Sequence, residues 1–225
     1  MNLPRRITAD SGPWPLYGSA DSRRIEALAS AACAPHTLMR RAGEATARLA
    51  LALAPHGHRV WIVAGPGNNG GDGFEAAFHL QQAGRQVRVT ALGNATCRPA
   101  DAAASLARAQ AAGVEIEPHV PGPLECDLAI DALFGLGTTR AAQGPYADAL
   151  RLFNRQPVTR LAVDLPSGLD SDHGFVHGGV GALATHTLAL LTLKPGLFTG
   201  HGRNQAGEVW FALSLIHISE PTRPY

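Results

Sequence analysis

The run RVWIVAGPGNNGGDG, residues 59–73, decides the fold. Its first part, RVWIVA (59–64), is a short apolar run that stops at glycine, as a buried strand does. Its second part, GPGNNGGDG (65–73), sets five glycines in nine residues and contains G-x-G-x-x-G at Gly65, Gly67 and Gly70. Residues 72–83 have a helical pattern, and Gly84 closes it. Strand, glycine loop, helix is the context in which backbone N–H groups and a helix N-terminus receive an anion such as pyrophosphate. A bare turn explains the run poorly, because so many glycines cost backbone entropy and pack little.

Outward from this run, the periods alternate between helix and strand. Helices are expected over residues 18–34, 36–54, 99–112 and 145–154. Strands are expected over 86–92, 114–117, 127–133, 158–165, 186–192 and 207–212. Short strands alternating with helices indicate a Rossmann-like three-layer α/β/α fold with a mostly parallel sheet. No repeat, low-complexity segment or internal linker interrupts the pattern. Residues 1–212 therefore read as one domain.

Composition excludes several function classes. The chain has 225 residues, 45% hydrophobic and 16% charged, with a formal net charge of +1. Nothing in that balance draws it onto nucleic acid or an anionic membrane. No apolar stretch approaches the length of a membrane span, and the first residues lack the apolar core of a secretory signal. The expectation is a protein of the bacterial cytoplasm, with Cys33, Cys97 and Cys126 reduced. The ten histidines are scattered without zinc-ligand spacing. Lys194 is the only lysine, against 18 arginines.

In parallel sheets, ligands bind beyond the carboxyl ends of the strands. Three glycine-bearing loops fall there: residues 65–73, 131–144 (DALFGLGTTRAAQG) and 164–170 (DLPSGLD). Asp131 and Asp164 stand at the ends of two apolar strands. They either cap the next segment or converge on one pocket with the glycine loop. Ser167 lies outside a G-x-S-x-G elbow, so it is not a hydrolase nucleophile. A nicotinamide dehydrogenase usually carries an acid about 20 residues beyond the fingerprint. Here the second strand ends Ala91, Leu92, Gly93, Asn94, which weakens the oxidoreductase and methyltransferase readings.

Five motifs in order carry a more specific resemblance: LMRRAG (38–43), GPGNNGGDG (65–73), DALFGLG (131–137), VDLPSGLD (163–170) and TLKPGL (192–197). In these the chain resembles the NAD(P)H-hydrate epimerases with the N-terminal YjeF domain, over residues 17–212. The resemblance implies interconversion of the R and S forms of NADHX and NADPHX, in which water has added at C6 of the nicotinamide ring. It also implies a homodimer, one potassium ion per subunit and functional coupling to an NAD(P)HX dehydratase. Carried over by motif, Asn69, Asp131 and Ser167 would ligate the potassium, since their oxygens suit a hard cation. Substrate would meet Asn68, Asn69, Gly70, Gly71, Asp72, Gly135, Leu136, Gly137, Thr138, Thr139, Arg140, Ala141 and Asp164. Asp164 is the candidate catalytic acid/base, because a carboxylate at a strand end can hold and return one proton.

The chain departs from the family pattern at Arg40, at Phe74 and Glu75, and after residue 212. Residues 213–225, LSLIHISEPTRPY, resemble the translation of a transposase adapter used in DNA library preparation, and read as a non-native tail. Two further readings stand beside the epimerase. One is a non-catalytic nucleotide-binding module of the same fold. The other is the epimerase half of a bifunctional epimerase/dehydratase.

Overall fold

Apolar side chains alternate across the central strands and bury both faces of one sheet. The computed structural model describes residues 4–122 and 124–212. Among them are the strands β1 (Arg5–Arg6), β2 (Arg59–Ala64), β3 (Gln86–Ala91), β4 (Glu115–Glu117), β5 (Leu128–Ala132), β6 (Thr159–Val163), β7 (His186–Leu190) and β8 (Glu208–Ala212). They form a sheet in the order β1-β8-β7-β6-β5-β2-β3-β4. Every pairing is parallel except β1 with β8.

The helices are α1 (Ser19–Ala31), α2 (Thr37–Leu53), α3 (Asn68–Gln82), α4 (Ala100–Ala111), α5 (Pro145–Arg155) and the short α6 (Gly202–Gln205). On one face, Ala45 and Leu49 of α2, Phe74 and Leu80 of α3, and Ala109 of α4 pack on Val60, Ile62, Val89 and Ile130. On the other, Leu150 and Phe153 of α5 pack on Trp61, Val63 and Ala129. Residues 60 to 63 thus serve both cores in turn, as the strand period of two requires. Each fully buried large side chain contributes about 1.5–3 kcal/mol. The indole N–H of Trp61 is satisfied by Thr90 Oγ1 at 2.9 Å.

From β2 the chain runs outward to β3 and β4, then returns to β5 on the other side of β2. The strand order reverses between β2 and β5, so the loops after these two strands part and leave a crevice. This is the expected fold, with most element ends within three residues of the sequence reading. Two elements were not anticipated, the two-residue β1 and the four-residue α6. One boundary moved further. Helix α3 begins at Asn68 rather than residue 72, so NNGGD is its first turn and not a loop. The strand expected at 207–212 forms as β8 and buries Val209, Phe211 and Ala212. The tail, 213–225, lies outside the described residues.

Candidate active site

Gly67 caps α3 in extended conformation, and the helix points its N-terminus into the crevice. Gly70 makes this turn possible. A Cβ there would lie 2.0 Å from the Gly65 carbonyl oxygen. Across the crevice stand the loop after β5 and the end of β6. Pro66, Gly67, Asn68, Asn69 and Asp72 form one wall, residues 133–143 the other, and Asp164 lies between them. The cleft has a volume of about 810 Å³, toward the upper end of the ~300–1,000 Å³ of pockets that take small organic ligands.

A narrower lobe of about 130 Å³ continues inward beneath α1, lined by Ser22, Glu26, Asn68, Asp72, Asp164, Leu191 and Lys194 among others. The two strands that end here do so in strained backbone. Leu165 N–H donates to Val163 O at 2.8 Å around Asp164, which has φ 67°. Thr192 N–H donates to Leu190 O at 2.6 Å around Leu191, which has φ 59°. Both are γ-turns with positive φ, a rare and strained form, and each costs on the order of 1–3 kcal/mol. Neighbouring strands holding this strain at one lobe mark it as functional.

The turns fix a buried ion pair. Lys194 Nζ donates to Asp164 Oδ1 and, at 2.9 Å, to Leu190 O. Leu190 N–H donates to the same Oδ1 at 3.0 Å. Asp164 Oδ1 is therefore committed, while among the described residues no such donor engages Oδ2. Lys194 is 1% exposed, the only lysine of the chain and wholly interior. Around this pair the other acids are held uneasily. Burial pushes the Asp72 carboxyl well above its ordinary range, and the nearby charges of Asp164, Glu26 and Glu75 push the same way. Glu26 is raised too, first by burial and then by Asp164.

Asp131 and Ser167 sit behind the cleft wall. Asp131 Oδ1 accepts from Ser167 Oγ at 2.6 Å and Leu133 N at 3.2 Å, and Oδ2 accepts from Ser167 N at 2.8 Å. Burial raises the Asp131 carboxyl to about 6, against the pull of these hydrogen bonds. Asp131 is fully buried, so of the two strand-end acids only Asp164 reaches the cleft. Asn69 is buried with both its amide oxygen and amide nitrogen unpartnered. An orphaned amide oxygen, a carboxylate and a hydroxyl make a donor set that fits a hard monovalent cation.

Of the residues expected at the substrate, Asn68, Asn69, Asp72, Asp164 and all seven from Gly135 to Ala141 line the cleft. Gly70 and Gly71 do not. They turn inward, against the Gly65 backbone and the Met39 thioether. Sequence reasoning gave no role to Lys194, although TLKPGL was singled out and its lysine has no other copy in the chain. It also missed Glu26 and Arg23, which line the cleft from α1 with no motif around them.

A family profile described as YjeF-related protein N-terminus matches residues 35–196. A NAD(P)H-hydrate epimerase of Rhodopirellula baltica is 38% identical over 177 residues, covering 76% of this chain and 72% of that protein. A NAD(P)H-hydrate epimerase of Limosilactobacillus fermentum is 34% identical, covering 76% of this chain and 82% of that protein. A bifunctional NAD(P)H-hydrate repair enzyme of Leishmania infantum is 36% identical over 77% of this chain, which spans only 32% of that longer protein. The fold matches the crystal structure of yeast ynu0, YNL200c, with a TM-score of 0.69 and 21% identity, over 85% of this chain and 86% of that one. With five sequence motifs gathered around one cleft and relatives of this closeness, the chain belongs to the YjeF-related N-terminal family.

Proposed function

We propose that the cleft binds NADHX and NADPHX and interconverts their R and S epimers. The observation that carries this reading is the inner lobe. It places Asp164, tied to the buried Lys194, at the inner end of a cleft that opens on a helix N-terminus. The N-terminal N–H groups of α3 receive pyrophosphate. The wall 133–143 covers the nucleotide, and the nicotinamide end enters the lobe. Epimerisation at C6 through loss and return of water needs a group that moves a proton to and from oxygen, and Asp164 Oδ2, which no donor among the described residues engages, can do so. The names of the relatives support the substrate class.

Asn69, Asp131 and Ser167 would hold potassium. The ion would supply fixed positive charge beside the α3 N-terminus and tie the loops after β5 and β6 to it. The reading extends to a homodimer in the bacterial cytoplasm and to coupling with a dehydratase, a partnership the bifunctional relatives carry in their name. Among the described residues no helix is long and apolar enough to cross a membrane. Asp164→Asn tests the assignment. Turnover of (R)-NADHX should fall about 10²–10⁴-fold while binding, read by titration calorimetry, persists. Unchanged turnover removes Asp164 from the role. Tight binding without turnover by the wild type would favour the non-catalytic module instead.

A further inference from the structure

One carboxylate serves one face of a bound ring. Inverting C6 by loss and return of water asks for proton transfer on both faces: one group protonates the departing hydroxyl, and another deprotonates the water that arrives opposite. Asp164 stands on the strand-end wall of the lobe, with one oxygen already occupied by Lys194 and Leu190. The wall formed by α1 presents a second carboxylate, Glu26, to the same lobe and to the cleft.

Helix α1 is fastened in place at this face. Ser19 N and Ser19 Oγ donate to Asp172 at 2.6 and 2.7 Å, Ser22 Oγ meets Thr192 Oγ1 at 2.9 Å, and Arg23 Nη2 donates to Leu136 O at 3.2 Å. Ser22 and Arg23 stand four and three residues before Glu26, so all three lie on one stripe of the helix. The clamps that hold the first two over the lobe thereby aim the third into it. The groups facing Glu26 are Asp164 and Lys194 from the strand ends, Asp72 and Asn68 from α3, and Arg23 on its own helix.

We propose that Glu26 is the second proton-handling group of the site, acting on the face of the nicotinamide ring opposite Asp164. The inference rests on the epimerase reading above. In one direction Glu26 gives its proton to the C6 hydroxyl, and the C6–O bond breaks to release water. The N1 electron pair closes an N1=C6 iminium. Water adds to the other face, the iminium pair returns to N1, and Asp164 takes the proton released. The reverse direction exchanges the two roles. No redox partner enters, and the proton balance closes across the pair. Burial and the Asp164 charge both raise the Glu26 carboxyl, the direction that favours a proton donor.

The test compares wild type, Glu26→Gln and Glu26→Asp on pure (R)-NADHX, with kcat and KM resolved and Tm recorded. Glu26→Gln should lower kcat about 100-fold or more, with KM within about threefold of wild type. Its Tm should stay close to that of wild type, so that a loss of kcat is not a loss of fold. Glu26→Asp, which keeps the acid one methylene short, should recover part or all of kcat; should the glutamine variant not fold, Glu26→Ala takes its place, and a kcat within about threefold of wild type there overturns the proposal. So does a Glu26→Gln kcat within about threefold of wild type, or a loss expressed only in KM. A wild type that does not epimerise at all overturns the functional reading itself, which is a separate result.

Discussion

At the scale of residues, Asp164 and Lys194 are held by strain. The two positive-φ turns at Asp164 and Leu191 place an acid and the backbone of β7 where Lys194 can reach both. Removing one partner of a buried pair leaves the other uncompensated, at a cost of about 3–5 kcal/mol. Lys194→Met should therefore lower stability by about 3 kcal/mol in urea unfolding. Adding Asp164→Asn should recover part of that loss, and strict additivity of the two changes would show that they do not interact. Asp164 was legible in the sequence because it ends an apolar strand. Lys194 was visible only as a letter in a motif, since burial of a lysine leaves no local pattern. Glu26 had no signal, because its relation to the lobe depends on how α1 docks across 150 residues of intervening chain, on Asp172 and Thr192.

At the scale of elements, α3 shows where local propensity misleads. Glycine disfavours helix by about 1 kcal/mol per residue, so the helix was expected to start after the glycines. Tertiary packing overrides that cost, because the first turn must pass the Gly65 carbonyl and the Met39 thioether. Gly70→Ala, whose Cβ would meet backbone at 2.0 Å, should destabilise by about 1–3 kcal/mol or more and weaken nucleotide binding. A stable variant with normal binding would mean that the turn has room the structure does not show. The same helix carries the departure at Phe74 and Glu75, both fully buried. Glu75 pairs with Arg108 of α4 at 2.9 Å, and its Oε1 lies 3.1 Å from the His36 ring, just before α2, without a hydrogen bond. An unusual acid in the family pattern thus ties α3 to α4. Asn69, with its orphaned amide, gives an ion-specific expectation. Potassium should raise Tm above that in sodium at equal ionic strength, and Asn69→Ala should abolish the difference. Equal melting in both salts for the wild type would count against the cation site.

At the scale of the whole molecule, the mostly parallel sheet was legible because hydrophobic period and glycine punctuation act locally and the connections obey few rules. The order of its strands, and with it the crevice between β2 and β5, is set by packing that leaves no local signal, although the strand ends that carry the site followed from the pattern. The antiparallel β1 did not, since two exposed arginines paired with Phe211 and Trp210 carry no strand pattern. The site also shapes the stability of the fold. Asp72 and Glu26 have their carboxyls raised, so the folded state binds protons more readily than the unfolded chain. Stability from these groups is greatest below their unfolded pKa and is lost as pH rises through the folded value. Asp72→Asn should therefore raise Tm by a few degrees at about pH 8, with the gain fading toward about pH 4, where the wild-type carboxyl is already neutral. A gain that persists at acid pH would assign it to packing instead of charge. The measurement that bears most directly on the whole account is the conversion of pure (R)-NADHX by the chain in potassium buffer, followed chromatographically with the spontaneous rate subtracted. The account predicts rapid appearance of the (S) form until the two epimers reach equilibrium. Appearance no faster than in buffer alone would contradict it.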